Sequence, residues 1–383
     1  MAVRGVYSKA EEKMLERLNN SPFMKPGWFK PVTKMEATAE SIKKTAVSVD
    51  YWNPLWRDDN YAMGTRWGGI IAPPMFSERF GYSGSFGLEG PPEEVGYQTG
   101  VYIGQDYEFF KPVRPGDSFT VWRNPPKLED ITSSNSKELR RFTWMPHDLS
   151  LYNQHGDLVN TLKTYLECAF YPEQVESINM PKTVHKYTKE ELEFIDHTID
   201  EEEIRGAEIR YWEDVEIGDE TRPVIMGPTT TWDMIYYSKG VMAGDFPPLR
   251  DMRRAGGGML LLDPETNVSY MGVEYHFTEK AGKLAGLPHG FHFGNFAATL
   301  MVRCVTNWMG DDGFLRKYKW RHLTQTPIGD TVIGHGKVIN KYIENDEHLV
   351  DLDVYLENIR GNITEAANAT VLLYSKKGPY AMK

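Results

Sequence analysis

Two stretches far apart in this chain carry one pattern. TTTWDMIYYSKGVMAGDFPPL at 229–249 parallels ATAESIKKTAVSVDYWNPL at 37–55. Thr231, Asp233, Ile235 and Pro248-Leu249 stand against Thr38, Glu40, Ile42 and Pro54-Leu55 within a one-residue slip. Further on, TPIGDTVIGHGKVI at 326–339 parallels KPVRPGDSFTV at 111–121. The runs Leu349–Leu356 and Thr364–Tyr374 then alternate as Leu139–Met145 and Thr161–Tyr171 do. A repeat of this span means a duplicated unit of roughly 150 residues. Each copy reads helix, loop, buried helix, then several antiparallel strands, an α+β layer with a sheet wrapped around one helix.

The second copy holds the clearest helix. Phe293, Phe296, Ala297, Leu300, Met301, Cys304, Val305 and Trp308 keep the i, i+3, i+4, i+7 spacing of one buried face. The turn Leu287-Pro288-His289-Gly290 is expected to open this helix and leave backbone N–H groups beside His276. An imidazole facing a helix N-terminus suits acid/base chemistry on a group whose oxyanion those N–H groups stabilise.

At 383 residues there is room for two ordinary domains. Residues 1–33 read as an arm, with a charged helix over about 8–19 that Ser8 caps and Glu11 supports. Residues 34–172 form the first domain, with turns at Pro115-Gly116-Asp117 and Gln154–Asp157. The acidic stretch 173–208 is either a linker carrying a solvated helix, Lys189–Glu202, or a helix packed on the first domain. Residues 209–383 form the second domain.

A net charge of -11 argues against a nucleic-acid or anionic-membrane partner. The only cysteines, Cys168 and Cys304, make no CxxC pair, which argues against a disulfide scaffold or a zinc site. The N-terminus has no apolar signal region, and no run of about 18 apolar residues occurs. The expected location is cytoplasmic.

Several short motifs occur in the same order in both halves. The first half has Asn53-Pro54-Leu55-Trp56, then Ala62, Gly69 and Ile70-Ile71-Ala72-Pro73-Pro74. The second has Gly244-Asp245-Phe246, His276, Ala281, Gly286 and His289-Gly290, and both have a P-G-D-like turn. Over roughly residues 35 to 375 this set resembles the MaoC-like hydratase/dehydratase family in its double hotdog form. That family carries a loop close to G-D-x-N-P-[LIV]-H and an H-G turn before its central helix. The resemblance implies a double hotdog fold and addition or removal of water at an R-specific enoyl-CoA thioester. It also implies an acyl-CoA substrate, no metal, no cofactor apart from the CoA of the substrate, and a homo-oligomer. Carried onto this sequence, Asp245 and His276 are the acid/base pair and the backbone N–H groups near Gly290 the oxyanion hole. His289 and His292 stand beside them, with His292 a second candidate for the base.

The pattern also breaks. In the first half Trp56 occupies the histidine position and Asp50 lies one residue too far from Asn53. That half is therefore expected to be inactive, and either to wall an acyl pocket or to serve only structurally. In the second half about 26 residues (roughly 250–275) separate the Asp245 loop from His276, and Thr278 replaces an acidic residue. Two readings stay open: an insertion inside a catalytic loop, or Asp245 capping a helix and His276 an ordinary polar side chain at a strand end. Arg250, Arg253 and Arg254 in the insertion are suited to CoA phosphates or an acidic acyl group, or else decorate a solvated loop. The spacing of His276, His289 and His292 is not a zinc pattern. A hotdog thioesterase and a non-catalytic acyl-CoA-binding subunit are the competing functions.

Overall fold

The structure is a computed structural model that describes residues 7, 9–20, 25, 31–82, 99–125, 127–130, 142–169, 179–241, 248–255 and 260–378. Alternating apolar runs become strands: β1 (Val32–Ala37), β2 (Thr99–Phe109), β3 (Asp117–Arg123), β4 (Lys127–Asp130), β5 (Phe142–Asn153) and β6 (Leu158–Ala169) in the first half. The second half has β7 (Val224–Met226), a small hairpin β8 (Leu260–Leu262) and β9 (Ser269–Met271), then β10 (Phe314–His322), β11 (Val332–Glu344), β12 (Glu347–Asn358) and β13 (Ile363–Leu372).

The duplication is written into the strand order. The first half runs β1-β3-β5-β6-β2, with β4 on the side of β5, and the second runs β7-β11-β12-β13-β10. The two orders are the same, and β2 pairs antiparallel with β10 to join them into one sheet. The fold is a double hotdog, an antiparallel sheet curled around helices, as the repeat implied.

The helices are α1 (Lys9–Asn20), α2 (Ala39–Val49), α3 (Asp59–Met63), α4 (Glu78–Tyr82), α5 (Lys189–Asp200), α6 (Thr231–Val241), α7 (Leu249–Ala255), α8 (Glu279–Leu284) and α9 (Gly294–Met309). Thr38 and Ser41 close a capping box at the start of α2. Its repeat partner α6 packs directly against it, with Thr45 Oγ1 donating to Gly240 O at 2.7 Å and Ser48 Oγ to Tyr236 O at 3.1 Å. Helix α5 starts in a Thr188–Glu191 capping box, buries Ile195 and lies against β7 of the second half.

In α9 every residue except Arg303 is buried, whereas its spacing indicated one buried face. The sheet curls round one side of the helix and first-half segments cover the other, so no side meets water. The inner face of β10 follows the helix: Tyr318 Oη donates to Ala298 O at 2.8 Å, and Trp320 and His322 continue the same face at a spacing of two. Gly310, at φ +71, ends α9 in a conformation that a side chain would strain.

Two buried polar clusters tie the halves together. Glu78, first residue of α4, accepts from Gln105 Nε2 (2.6 Å), from Tyr107 Oη and from Asn295 Nδ2 of α9 (2.9 Å). Gln105 Oε1 in turn accepts from Trp320 Nε1 at 3.1 Å. Burial pushes the Glu78 carboxyl up to about 8, against the pull of the Gln105 and Asn295 hydrogen bonds.

The second cluster gathers on Arg303. Its guanidinium pairs with Glu202, just past α5, and stands 3.6 Å from Asp50 of the first half. Asn307 Nδ2 donates to the other Glu202 oxygen at 2.7 Å, and Trp56 Nε1 donates to Asp50 at 3.2 Å. Burial raises the Asp50 pKa in spite of Arg303. Removing the cation leaves two buried carboxylates uncompensated. Arg303→Ala is therefore expected to cost about 3–5 kcal/mol in urea unfolding, and Asp50→Asn with Glu202→Gln in the same chain should recover most of it.

Candidate active site

The insertion is an ordered excursion among the residues described. It comprises α7, the β8–β9 hairpin and a 3-10 turn, Gly272–His276, that brings the chain back to the core. Lys280 Nζ of α8 holds the hairpin by Asp263 at 2.6 Å. His276 thus closes a 3-10 turn with its ring turned inward, and does not sit at a strand end.

The ring of His276 is 8% exposed and packs on Phe291, on Phe293 and edge-on to Tyr275. Its Nδ1 lies 2.9 Å from Phe291 O. A carbonyl only accepts, so the proton is on Nδ1 and Nε2 carries the lone pair. Burial lowers the His276 pKa to about 3, against the raising effect of nearby backbone carbonyls, and positive charge at His322 lowers it further. Phe293, on which the ring lies, is the N-cap residue of α9 and provides no side-chain cap. Nε2 is therefore the basic nitrogen of a neutral imidazole set next to an uncapped helix N-terminus.

His292 is 2% exposed and stands two residues before α9, not on its first turn. Its Nε2 is 2.7 Å from Thr229 Oγ1, and that hydroxyl lies 3.1 Å from Asp330 O. With the hydroxyl proton donated to Asp330 O, His292 is protonated on Nε2 and its buried Nδ1 has no partner among the described residues. Burial pushes its pKa down to about 3, with help from charge at His322 and His276.

Other expected site residues lie elsewhere. His289 donates through Nε2 to Lys182 O at 2.8 Å and so fastens its turn to the segment before α5. The oxyanion hole was expected from backbone N–H groups near Gly290. The Phe291 and His292 N–H groups are used on Tyr275 O (3.2 Å) and Thr326 O (3.0 Å), and Gly290 O accepts from Ile328 N. The chain continues as extended backbone bridged to Pro327, and the helix begins only at Gly294.

Trp56 is buried and lines an apolar cavity with Ile71, Phe76, Phe109, Met309 and Phe314. That cavity adjoins the C-terminal end of α9, roughly 20 Å along the helix axis from Gly294. Trp56 is thus not brought together with His276, and its indole is committed to Asp50. Arg250 and Arg254 are exposed on α7, Arg250 touching Asp251. Asp245 and the Arg253 side chain lie outside the described residues.

One pair escaped the sequence reading. His322 Nδ1 is 2.9 Å from Glu365 Oε1, with the side chains 3% and 0% exposed. The two are direct neighbours across β10 and β13. The available signal was period two along FLRKYKWRH, which puts His322 on the face of Tyr318 and Trp320.

The two depressed histidines fix a pH dependence. Between the folded value of about 3 and the unfolded value near 6.5, the unfolded chain holds protons that the folded chain does not. Stability therefore rises with pH across that window and is flat above it. On going from pH 7 to pH 5 the wild type should lose roughly 2 kcal/mol for each histidine. His292→Asn should lose visibly less over the same step, as read from urea midpoints.

The chain was compared with known proteins. The family model for the FAS1-like dehydratase domain region matches residues 25–162. A UPF0336 protein of Streptomyces coelicolor is 27% identical over 114 residues, which span 29% of this chain and 75% of the relative. Another, from Streptomyces griseus, is 24% identical over 139 residues, 36% of this chain and 87% of the relative. Among solved structures, a MaoC-like dehydratase superposes with a TM-score of 0.59 at 17% identity, over 90% of this chain and 97% of that one. A MaoC domain dehydratase of Chloroflexus aurantiacus gives 0.53 at 10% identity, over 91% and 95%. The peroxisomal multifunctional enzyme type 2 of Drosophila melanogaster gives 0.51 at 12% identity, over 97% of this chain and 53% of that one. The repeated strand order and the buried α9 are those of the double hotdog fold that these structures share, and the dehydratase-region model matches within the first half.

Proposed function

We propose that this chain is a hydro-lyase that adds water to the double bond of an enoyl-CoA thioester, or removes it in reverse. The observation that carries this reading is His276: a buried neutral imidazole, fixed by Phe291 O in the tautomer with Nε2 basic, beside the uncapped N-terminus of α9. Likeness to a MaoC-like dehydratase in fold, and the dehydratase-region match, support the reaction class.

In hydration, His276 Nε2 takes a proton from water as the water oxygen bonds to the β-carbon. The electron pair of the double bond moves onto the thioester oxygen as an enolate. The N-terminus of α9 stabilises that oxygen through its partial positive charge, a role first expected of Gly290. The proton then goes from His276 to the α-carbon. Asp245 is proposed to hold the same water. Arg250 and Arg254 are the proposed contacts for CoA phosphates. No cofactor is needed beyond the CoA of the substrate.

The test is loss of the enoyl-thioester absorbance with a panel of enoyl-CoAs. Wild type should hydrate at least one of them, and His276→Ala and Asp245→Asn should each be slower by about a hundredfold or more. Free thiol in place of hydration would identify a thioesterase. Binding of CoA esters without any turnover would identify a non-catalytic subunit.

A further inference from the structure

We propose that His322, held by Glu365, is the side-chain arm of an oxyanion cradle whose other arm is the N-terminus of α9. The inference rests on the hydro-lyase reading for its substrate, and its geometry is independent of His276.

Three observations converge on Gly294. The N-cap residue of α9, a helix of 16 residues, provides no side-chain cap for its positive end. Among the described residues His322 Nε2 is buried without a hydrogen-bond partner, and it lies at the same place: a Cβ on Gly294 would come within 3.1 Å of it and 2.5 Å of Tyr102 Cβ. Glycine is required there because the imidazole and Tyr102 occupy the space. Behind the ring, Glu365 is fully buried, and Thr364 Oγ1 donates to its other oxygen.

The arrangement has a direct electrostatic meaning. Glu365 lies 2.9 Å from Nδ1, so His322 is the one imidazole of the three with a carboxylate against it. That contact sets the ring with Nε2 facing a helix end that is itself positive. A ring N–H and a helix N-terminus directed at one point call for an anion, or an oxygen that becomes one, between them. The thioester oxygen meets that description, being neutral in the enoyl-CoA and negative in the enolate. His322 gives it a hydrogen bond and transfers no proton, so the stoichiometry of hydration is unchanged.

Asn295 completes the frame. Its side chain is held by Glu78 from the other half, which fixes the first turn of α9 while His322 approaches from β10.

The test uses the full chain and acetoacetyl-CoA, whose enolate absorbs where the keto form does not, so that oxyanion stabilisation is read without turnover. The enolate band should rise when wild type binds the probe. His322→Leu should reduce the bound enolate fraction and kcat by about a hundredfold, the effect of one lost oxyanion donor, with KM nearly unchanged. His322→Gln, which restores an N–H near the position of Nε2, should regain part of both. Glu365→Gln, nearly isosteric, should behave like His322→Leu, and it decides the matter if the leucine variant does not unfold cooperatively. An enolate band that His322→Leu leaves intact overturns the proposal. Enoyl-CoA turnover by a wild type that shows no enolate band removes the cradle and leaves the hydro-lyase reading. A His322-dependent band without turnover does the reverse, and a wild type with neither signal removes both.

Discussion

Everything in this molecule is arranged around taking α9 out of water. A helix has four N–H groups at its start without internal partners, and burying that end in apolar surroundings is costly unless polar groups meet it. Here the apolar length of the helix is covered by the curled sheet, while its first turn is met by polar side chains from three directions. Glu78 of the first half holds Asn295, His322 of β10 crowds Gly294, and His276 lies on the Phe293 ring. Those groups stabilise the helix and make its N-terminus a buried polar point, as the Arg303 cluster is farther along it.

The two halves have the same strand order but have treated the same loop differently. In the first, Asp50 and Trp56 hydrogen-bond to each other, and Arg303 from α9 stands beside the carboxylate. The position is occupied by a structural ion cluster that also recruits Glu202 and Asn307. In the second, the loop is extended by α7 and a small hairpin and returns His276 to the core with Nδ1 against Phe291 O. An ion cluster with several partners favours a rigid junction. One half thus anchors the other, and the shared helix α9 carries both relationships, one towards each end.

The three buried histidines near that N-terminus divide their roles by what each has for a neighbour. His276 and His292 meet backbone carbonyls and hydroxyls, and burial keeps both neutral. His322 alone faces a carboxylate. Charge on one ring suppresses charge on the others.

Much of this was legible in the sequence. Duplication, the α+β class, the turns at Gly116 and Gly156, and the helix near residue 300 follow from periodicity and from glycine and proline placement, which are local properties. The short helix after His276 was legible because its spacing to Ala281 and Gly286 is local too. What only the tertiary structure decided is non-local. Helix α9 begins at Gly294 because the preceding residues pair with Tyr275, Thr326 and Ile328, contacts that no propensity encodes. Trp56 faces the opposite end of α9 from His276 because Asp50 holds its indole. His322 and Glu365 become neighbours only through the register of β10 on β13, and Glu78 reaches Asn295 only because β2 and β10 join the halves. Local spacing chooses the elements. The closing of the sheet around one helix chooses which distant polar groups must share its buried end, since burial of that end is tolerated only where they meet it.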